Sequence, residues 1–468
     1  MSYEIKADYD TQYLFPPSLE EWIPEDHPAR FIREFVDMLD MEELGFRIRE
    51  SCDGRPNYAS SLLLKVWLYG YLEGIRSSRK LEKACMNHFA LVWLTGNNAP
   101  DHNTLWRFFN DNEDAIRRLF KETVRVALNA DLIGLALHAV DGTKIKARSS
   151  FDGVVKRWEV DELLERLDGY ADEAAMEIER SEEAERGEYR LPGELRSREK
   201  LRERLMRARE RMDEAKRNLI NPDEGEARIM RCSGKLDLAY NAQIVVDEKR
   251  GMIVAEDVTN EENDVHQLAS MIGMVEDNAG GAADETLADG GYYASEELSK
   301  AEERGYSVLV NIPSDGNGEF HWSRFAYDEK NDCLTCPMGK KLELSYVDRH
   351  DDSPSMVYSC RSYKDCPRRF DCSADKRQGR RVRTTFRHKV VMRQKKKQDD
   401  STNRSLLARR KAIVERPFAI IKECMGLRRW TYNGLSKVRV QWSIICSVFN
   451  LKHMYKHWLE NKFILKPV

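Results

Sequence analysis

The sequence predicts a mixed α/β protein, helical at its N-terminus and built around a mixed sheet further on. Three observations carry that expectation. Apolar residues recur at helical spacing through the first 130 residues. Two apolar runs (Leu135, Leu137, Val140 and Thr286, Leu287, Ala288) read as buried strands, and each ends in Asp-Gly, at Asp141 and Asp289. Five of the ten cysteines fall between positions 333 and 372, marking an insert with chemistry of its own.

Taken in order, periodic apolar positions run through 31–44, 62–72 and 116–128, with breaks at Gly54-Arg55-Pro56 and Gly96-Asn97-Asn98. A helix is expected to begin at Ser77-Ser78, with Ser as cap and Glu82 as its box partner, and another after Pro100-Asp101. The second offers His102, Asn103, Thr104 and Arg107 at its start. Such a pair would form a helix-turn-helix reading DNA; the alternative is an ordinary bundle with Trp106, Phe108 and Phe109 in its core. Residues 156–220, rich in Glu, Arg, Lys, Leu and Ala, read as a helical hairpin of blocks 160–185 and 194–219, divided by Gly187 and Leu191-Pro192-Gly193. That segment suits a structural insert or dimer contact.

Strands are expected at 240–246 and 252–258 around the turn 247–251, followed by a helix over 264–274 and a buried strand at 306–313. Asp264 would cap that helix or stand as a fourth acidic group. An apolar helix over 440–458 is expected to close the chain against the sheet. There is no apolar run long enough to span a membrane, and the first six residues lack a secretory pattern, which predicts a cytoplasmic protein.

The two Asp-Gly pairs sit where α/β sheets place ligands, at strand ends, with glycine letting the backbone turn close to whatever the carboxylate holds. Taken singly, an Asp-Gly is an ordinary turn. A third acid, Glu415, lies in the helical pattern Ile413, Val414, Phe418, Ile420, Ile421, which would present Lys422 on the same face. Pro417 predicts a helix start or a kink beside that carboxylate. Gathered together, the three would form an oxygen cage for two Mg²⁺ or Mn²⁺ ions about 3.5–4 Å apart, the arrangement of metal-assisted phosphoryl chemistry. Lys144, three residues after Asp141, would touch phosphate or lie on the surface.

Charge is unevenly spread. The net charge is −4, yet residues 351–468 hold 29 Lys+Arg against 10 Asp+Glu, which leaves −23 on the preceding 350 residues. The densest stretch runs from Lys376 to Lys397 with Phe386 and His388 interleaved, the composition of a phosphate-neutralising nucleic-acid face or of a solvated loop.

The cysteine spacing is Cys333-x2-Cys336, then Cys360-x5-Cys366-x5-Cys372. In a reducing compartment it favours metal over disulfides. A structural Zn²⁺ held by Cys333, Cys336, Cys366 and Cys372 is expected, with Cys360 as the alternative, because all-cysteine ligation leaves no open position. Cys52, Cys85, Cys232, Cys424 and Cys446 are scattered and read as buried apolar residues.

The blocks V-D-G-T-K-I-K-A, Y-N-A-Q-I-V-V-D-E, V-T-N-E-E-N-D, A-D-G-G-Y-Y and I-V-E-R-P-F-A-I-I-K resemble, in that order, those of bacterial insertion-sequence transposases of the DDE class. The opening L-F-P-P-S-L-E-E-W-I-P-E-D-H-P-A-R-F-I is similar to the N-terminal domain of the same proteins. The resemblance implies a ribonuclease-H-like core over 131–313 and 408–468, with the helical insert at 156–220, a cysteine-rich and basic insert at 314–407, and a DNA-binding or interaction domain over 1–130. It implies Asp141, Asp289 and Glu415 as the catalytic, metal-binding triad and Lys422 as a contact to terminal DNA, with Arg410, Lys144 and Arg107 as further candidate DNA contacts. The Tyr that related groups carry ahead of this Glu has no counterpart at 407–411. The activity implied is hydrolysis at double-stranded transposon ends followed by strand transfer, by at least a dimer. A metal-dependent nuclease or an inactive DNA-binding relic are the alternatives.

Overall fold

Helices come first, as the periodicity requires. In the computed structural model, which describes residues 18–47, 57–182, 193–312, 318–321, 324–349, 354–372, 378–385 and 387–461, α1 (Pro28–Asp37) begins with proline at its first position. There the proline's missing N–H costs nothing, and His27 Nδ1 accepts from the Ala29 N–H at 3.1 Å. α2 (Ser60–Leu72), α3 (Ser78–Asn87), α4 (Phe89–Leu94), α5 (His102–Asp111) and α6 (Glu113–Asn129) follow. α5 starts where expected, its first N–H groups capped by Asp101 Oδ1. α3 begins at Ser78 without a side-chain cap, and Glu82 reaches instead to His102 Nδ1 at 2.9 Å. Because α4 fills the connection between α3 and α5, the pair lacks the short turn of a helix-turn-helix. Phe108 and Phe109 are core, whereas Trp106 is 49% exposed. The breaks expected at 54–56 and 187–192, together with Cys52, Pro313, Lys376, Arg377 and Phe386, lie outside the described residues.

The remaining elements are β1 (Leu137–Lys146), β2 (Val155–Lys156), α7 (Arg157–Glu182), α8 (Gly193–Glu214), β3 (Leu219–Ile220), β4 (Arg228–Cys232), β5 (Lys235–Asp247), β6 (Ile253–Thr259), α9 (Leu268–Ala279), β7 (Glu285–Ala288), α10 (Ser295–Glu303) and β8 (Val308–Val310). After them come β9 (Ala326–Asp328), β10 (Cys333–Thr335), β11 (Lys341–Asp348), β12 (Ser355–Cys360), α11 (Arg369–Cys372), β13 (Arg381–Thr385), α12 (His388–Asp399), α13 (Ser401–Ala419) and α14 (Leu435–Asn461).

The chain divides into two compact units, one drawn from 1–132, 145–239 and 419–468, the other from 133–144 and 240–418. In the first, α14 packs along α6 and α2. The sequence placed it against the sheet; a helix with so many apolar positions does not reveal in its pattern whether helices or strands cover it. Also in this unit α7 and α8 pack through Val160, Leu164, Leu205, Ala208 and Met212, and the short β2–β3 pair closes their base. β4 pairs antiparallel with the first half of β5.

The second unit holds a sheet of order β6-β5-β1-β7-β8. β5 and β6 are antiparallel, whereas β1–β7 and β7–β8 are parallel, so β1 is central and Asp141 lies in the middle of the sheet. The β5–β6 hairpin and β8 stand where the sequence placed them. Near one end, buried Asp247 Oδ2 meets His138 Nε2 at 3.2 Å and accepts the N–H groups of Gly134 and Leu135. Although burial alone would raise it, those hydrogen bonds and the His138 charge hold the Asp247 carboxyl below the usual range. A second sheet, β13-β12-β11-β10-β9, is antiparallel throughout and was not foreseen. In β13 the exposed arginines 381 and 383 alternate with buried Val382 and Thr384, so a basic composition conceals a strand period of two.

Candidate active site

β1 runs unbroken through Asp141-Gly142, so this Asp-Gly is strand and not turn. Asp289-Gly290, by contrast, turns at the end of β7 into a short 3₁₀ segment. The parallel β1–β7 pairing brings the two aspartates to one place, and they are used alike. Each Oδ1 accepts an N–H from its own loop or strand, Gly142 at 2.9 Å and Gly291 at 2.8 Å. Each Oδ2 faces Arg410 of α13, at 3.3 Å from Nη1 for Asp141 and 3.6 Å from Nη2 for Asp289. Burial pushes the Asp141 carboxyl above its usual range, against the pull of Arg410 and the Gly142 N–H, and the neighbouring Asp289 charge adds to the rise.

Asp264 belongs to this site. α9 begins at Leu268 with Gln267 at its cap position, so Asp264 is not the helix cap. Its Oδ1 accepts from Asn241 Nδ2 at 2.6 Å and Gln243 Nε2 at 2.7 Å, and Lys144 Nζ stands 3.2 Å from both oxygens. Gln243 accepts in turn from the buried hydroxyl of Tyr292. Burial first, then the charges of Asp264, Asp141 and Asp289, hold that hydroxyl well above its ordinary titration range, so it stays a donor. Asn241 and Gln243, two apart on β5, and Gly142 and Lys144, two apart on β1, share faces by strand alternation. That alternation is the one signal in the sequence that could have paired these residues; which strands lie side by side is set by the fold.

Gly142 is required by space and not by a turn. A Cβ there would lie 2.3 Å from Gln243 Nε2 and 2.7 Å from Asp264 Oδ1. Gly142→Ala is therefore expected to lower stability by about 1–3 kcal/mol, read by urea unfolding. A change below about 0.5 kcal/mol would show that the network yields freely.

Among the described residues Glu415 makes no metal-holding group with the aspartates. It is 61% exposed and pairs with Lys411 at 3.5 Å. Five residues on an α-helix correspond to about 140° of rotation, so the turn that aims Arg410 at Asp141 and Asp289 aims Glu415 elsewhere. Among the described residues no three His, Cys, Asp or Glu side chains form a ready metal-holding group. Pro417 sits inside α13, and the helix passes into a π stretch, Ile420–Cys424, containing Lys422. A proline removes an N–H and crowds the preceding turn, and the π stretch alters the phase, so the uninterrupted α-helix expected from Glu415 to Lys422 is not formed. Lys422 also falls in the other compact unit.

Lys144 is turned to Asp264, Arg410 to the aspartates, and Arg107 lies exposed on α5. Part of the basic stretch is engaged internally: Arg383 pairs with Asp348, and Arg393 with Glu302 and Glu329. In the cysteine-rich segment, Cys336, Cys360, Cys366 and Cys372 line one cavity. Cys333 is buried in β10 and is not among the lining residues, so the cavity has Cys360 where the spacing favoured Cys333.

No helix among the described residues is long and apolar enough to cross a membrane. No curated protein matches the chain. Two family models do: a transposase domain (DUF772) over residues 17–111, and a transposase DDE domain over residues 335–455, which includes Arg410 and Glu415. With a transposase domain matched on its N-terminal helices and a transposase DDE domain matched towards its C-terminus, the two findings together support an insertion-sequence DDE transposase.

Proposed function

We propose that the chain cuts DNA at the ends of its own insertion sequence and joins the freed 3′ ends to a target, with two divalent metal ions held by Asp141, Asp289 and Glu415. The observation that carries this reading is the meeting of Asp141 and Asp289 at one cation, Arg410. The strand order and senses of the sheet around them support a ribonuclease-H-like core. The donors suit a hard divalent ion: two carboxylate Oδ2 atoms already turned toward positive charge, each carboxylate fixed by a backbone N–H. Mg²⁺ or Mn²⁺ there would activate the attacking oxygen and stabilise the leaving one.

The chain's own groups do the rest. Asp264, tied to Asn241, Gln243 and Lys144, fixes the wall behind the aspartates. Arg410 offsets one of the two aspartate charges and is freed when they turn to metal, leaving a guanidinium suited to bidentate pairing with phosphate. Glu415 completes the set only with a change in the orientation of α13. Lys422, Lys144, Arg107 and the basic C-terminal third would contact DNA, and bringing two ends together calls for a dimer or larger assembly.

Paired, pre-cut element ends incubated with target plasmid and Mg²⁺ should give joined products. Cutting without joining would favour a nuclease, and binding without cutting an inactive relic. Arg410 gives a test independent of catalysis. Arg410→Gln is expected to tighten Mn²⁺ binding about tenfold, read by Mn²⁺ EPR titration, because it removes a competing charge from a partly screened site. Unchanged or weaker affinity would show that the guanidinium does not compete with metal.

A further inference from the structure

Four cysteines from separate segments line one small cavity. Cys336 follows β10 in the turn Cys336-Pro337-Met338-Gly339-Lys340, where the Gly339 N–H donates to the Cys336 carbonyl at 2.8 Å, and the Cys336 N–H to Lys340 at 2.9 Å. Gly339 has φ +75°, a conformation open to glycine and strained for other residues. Cys360 ends β12, its N–H donating to the Arg380 carbonyl at 3.0 Å. The Cys366 N–H donates to Tyr363, and Cys372 closes α11 with its N–H on Arg368. The cavity measures about 20 Å³, room for roughly one water-sized body, and its other walls include Phe320, Phe325, Met338 and Leu342.

Thiols gathered without metal would need no cations, yet Lys340, Arg369 and Arg380 line the same cavity. Arg380 Nε is buried and has no hydrogen-bond partner. A donor so placed is what a thiolate cluster of net negative charge would accept from. Cys333 cannot join by the same logic. Strand alternation puts it on the face of β10 opposite Leu334, and Leu334 fills the core cluster against which Cys336 packs and of which Cys360 is part.

The geometry points to a structural zinc site formed by Cys336, Cys360, Cys366 and Cys372, which clamps the β10–β11 turn, the end of β12 and α11 together. No three of these thiols yet stand in a metal-holding group, so binding would require the four to close in from the cavity wall and release their protons, completing a tetrahedral shell with Zn–S distances of about 2.3 Å. No coordination position remains for substrate, so the site holds structure and is independent of the transposition reading.

The test uses the full chain, purified without chelator and titrated with Zn²⁺ and with Co²⁺ as the spectroscopic probe. One metal per chain is expected, with the thiolate-to-cobalt absorption of a four-sulfur site. Cys360→Ser should lose that spectrum or shift it to three-sulfur character, and Cys333→Ser should keep it. Because a serine variant can fail to fold, alkylation of the unmodified chain with and without chelator gives a second reading. Cys336, Cys360, Cys366 and Cys372 should gain reactivity on chelation, while Cys333 stays unchanged. Absence of stoichiometric metal, or a site that depends on Cys333 and not on Cys360, overturns the assignment.

Discussion

Asp141→Asn is expected to reduce cleavage of element-end DNA by about a thousandfold or more while leaving DNA binding within a few-fold of the parent. The expectation rests on the proposed role of Asp141 as a ligand at the centre of the sheet, since metal stabilisation of charge in phosphoryl transfer is worth several kcal/mol. Asparagine keeps the side-chain shape and can still take the Gly142 N–H through its oxygen, so a folding defect is not the route to the loss. A cleavage assay on end-containing plasmid, run beside a gel-shift titration, separates the two quantities. Asp289→Asn should behave in the same way. Glu415→Gln is the more searching variant, because Glu415 is largely exposed and pairs with Lys411. If it cuts as well as the parent, the third ligand lies elsewhere, and the proposed triad is wrong even though the Asp141–Asp289 pair stands.

The second large effect concerns stability. Asp247→Ala is expected to cost about 3–5 kcal/mol in chemical unfolding, because it leaves buried His138 and the Gly134 and Leu135 N–H groups without their acceptor. Asp247→Asn should cost less, since an amide oxygen can still accept. The pH dependence has a definite sign. The folded Asp247 carboxyl lies below its unfolded value, so its stabilisation is fully present above about pH 4 and is lost as pH falls through the lowered folded value. The parent should therefore lose stability more steeply in acid than Asp247→Asn does. Parallel acid profiles for the two proteins would remove Asp247 from the account.

The sequence revealed the helices of the N-terminal segment, the β5–β6 hairpin and the strands leading into Asp141 and Asp289, because periods of 3.6 and 2 are local properties. It did not reveal the second sheet, in which β9 and β10 are only three residues long and β13 sets exposed arginines against buried residues. Asp264 was legible as a helix cap or as a fourth acidic group, but its partners were not, since they come from β1 and β5 and only the fold assembles them. The face expected for Glu415 and Lys422 assumed α-helical phase over seven residues; Pro417 announced a start or kink, but nothing in the sequence announced the π stretch that follows it. The cysteine motif invited pairing Cys333 with Cys336. Their strand and turn positions separate them, and an apolar run as short as Cys333-Leu334 gives little notice of which residue faces inward.

One helix, α13, carries a guanidinium and a carboxylate on different sides within five residues of each other. Whichever side is presented sets the electrical character of the pocket: a guanidinium offsets half of the aspartates' charge, and a carboxylate deepens their negative potential. If Glu415 joins them on loading, ion uptake and helix rotation become reciprocal equilibria. Whatever favours one orientation must alter cation affinity by the same factor that cations alter the orientation.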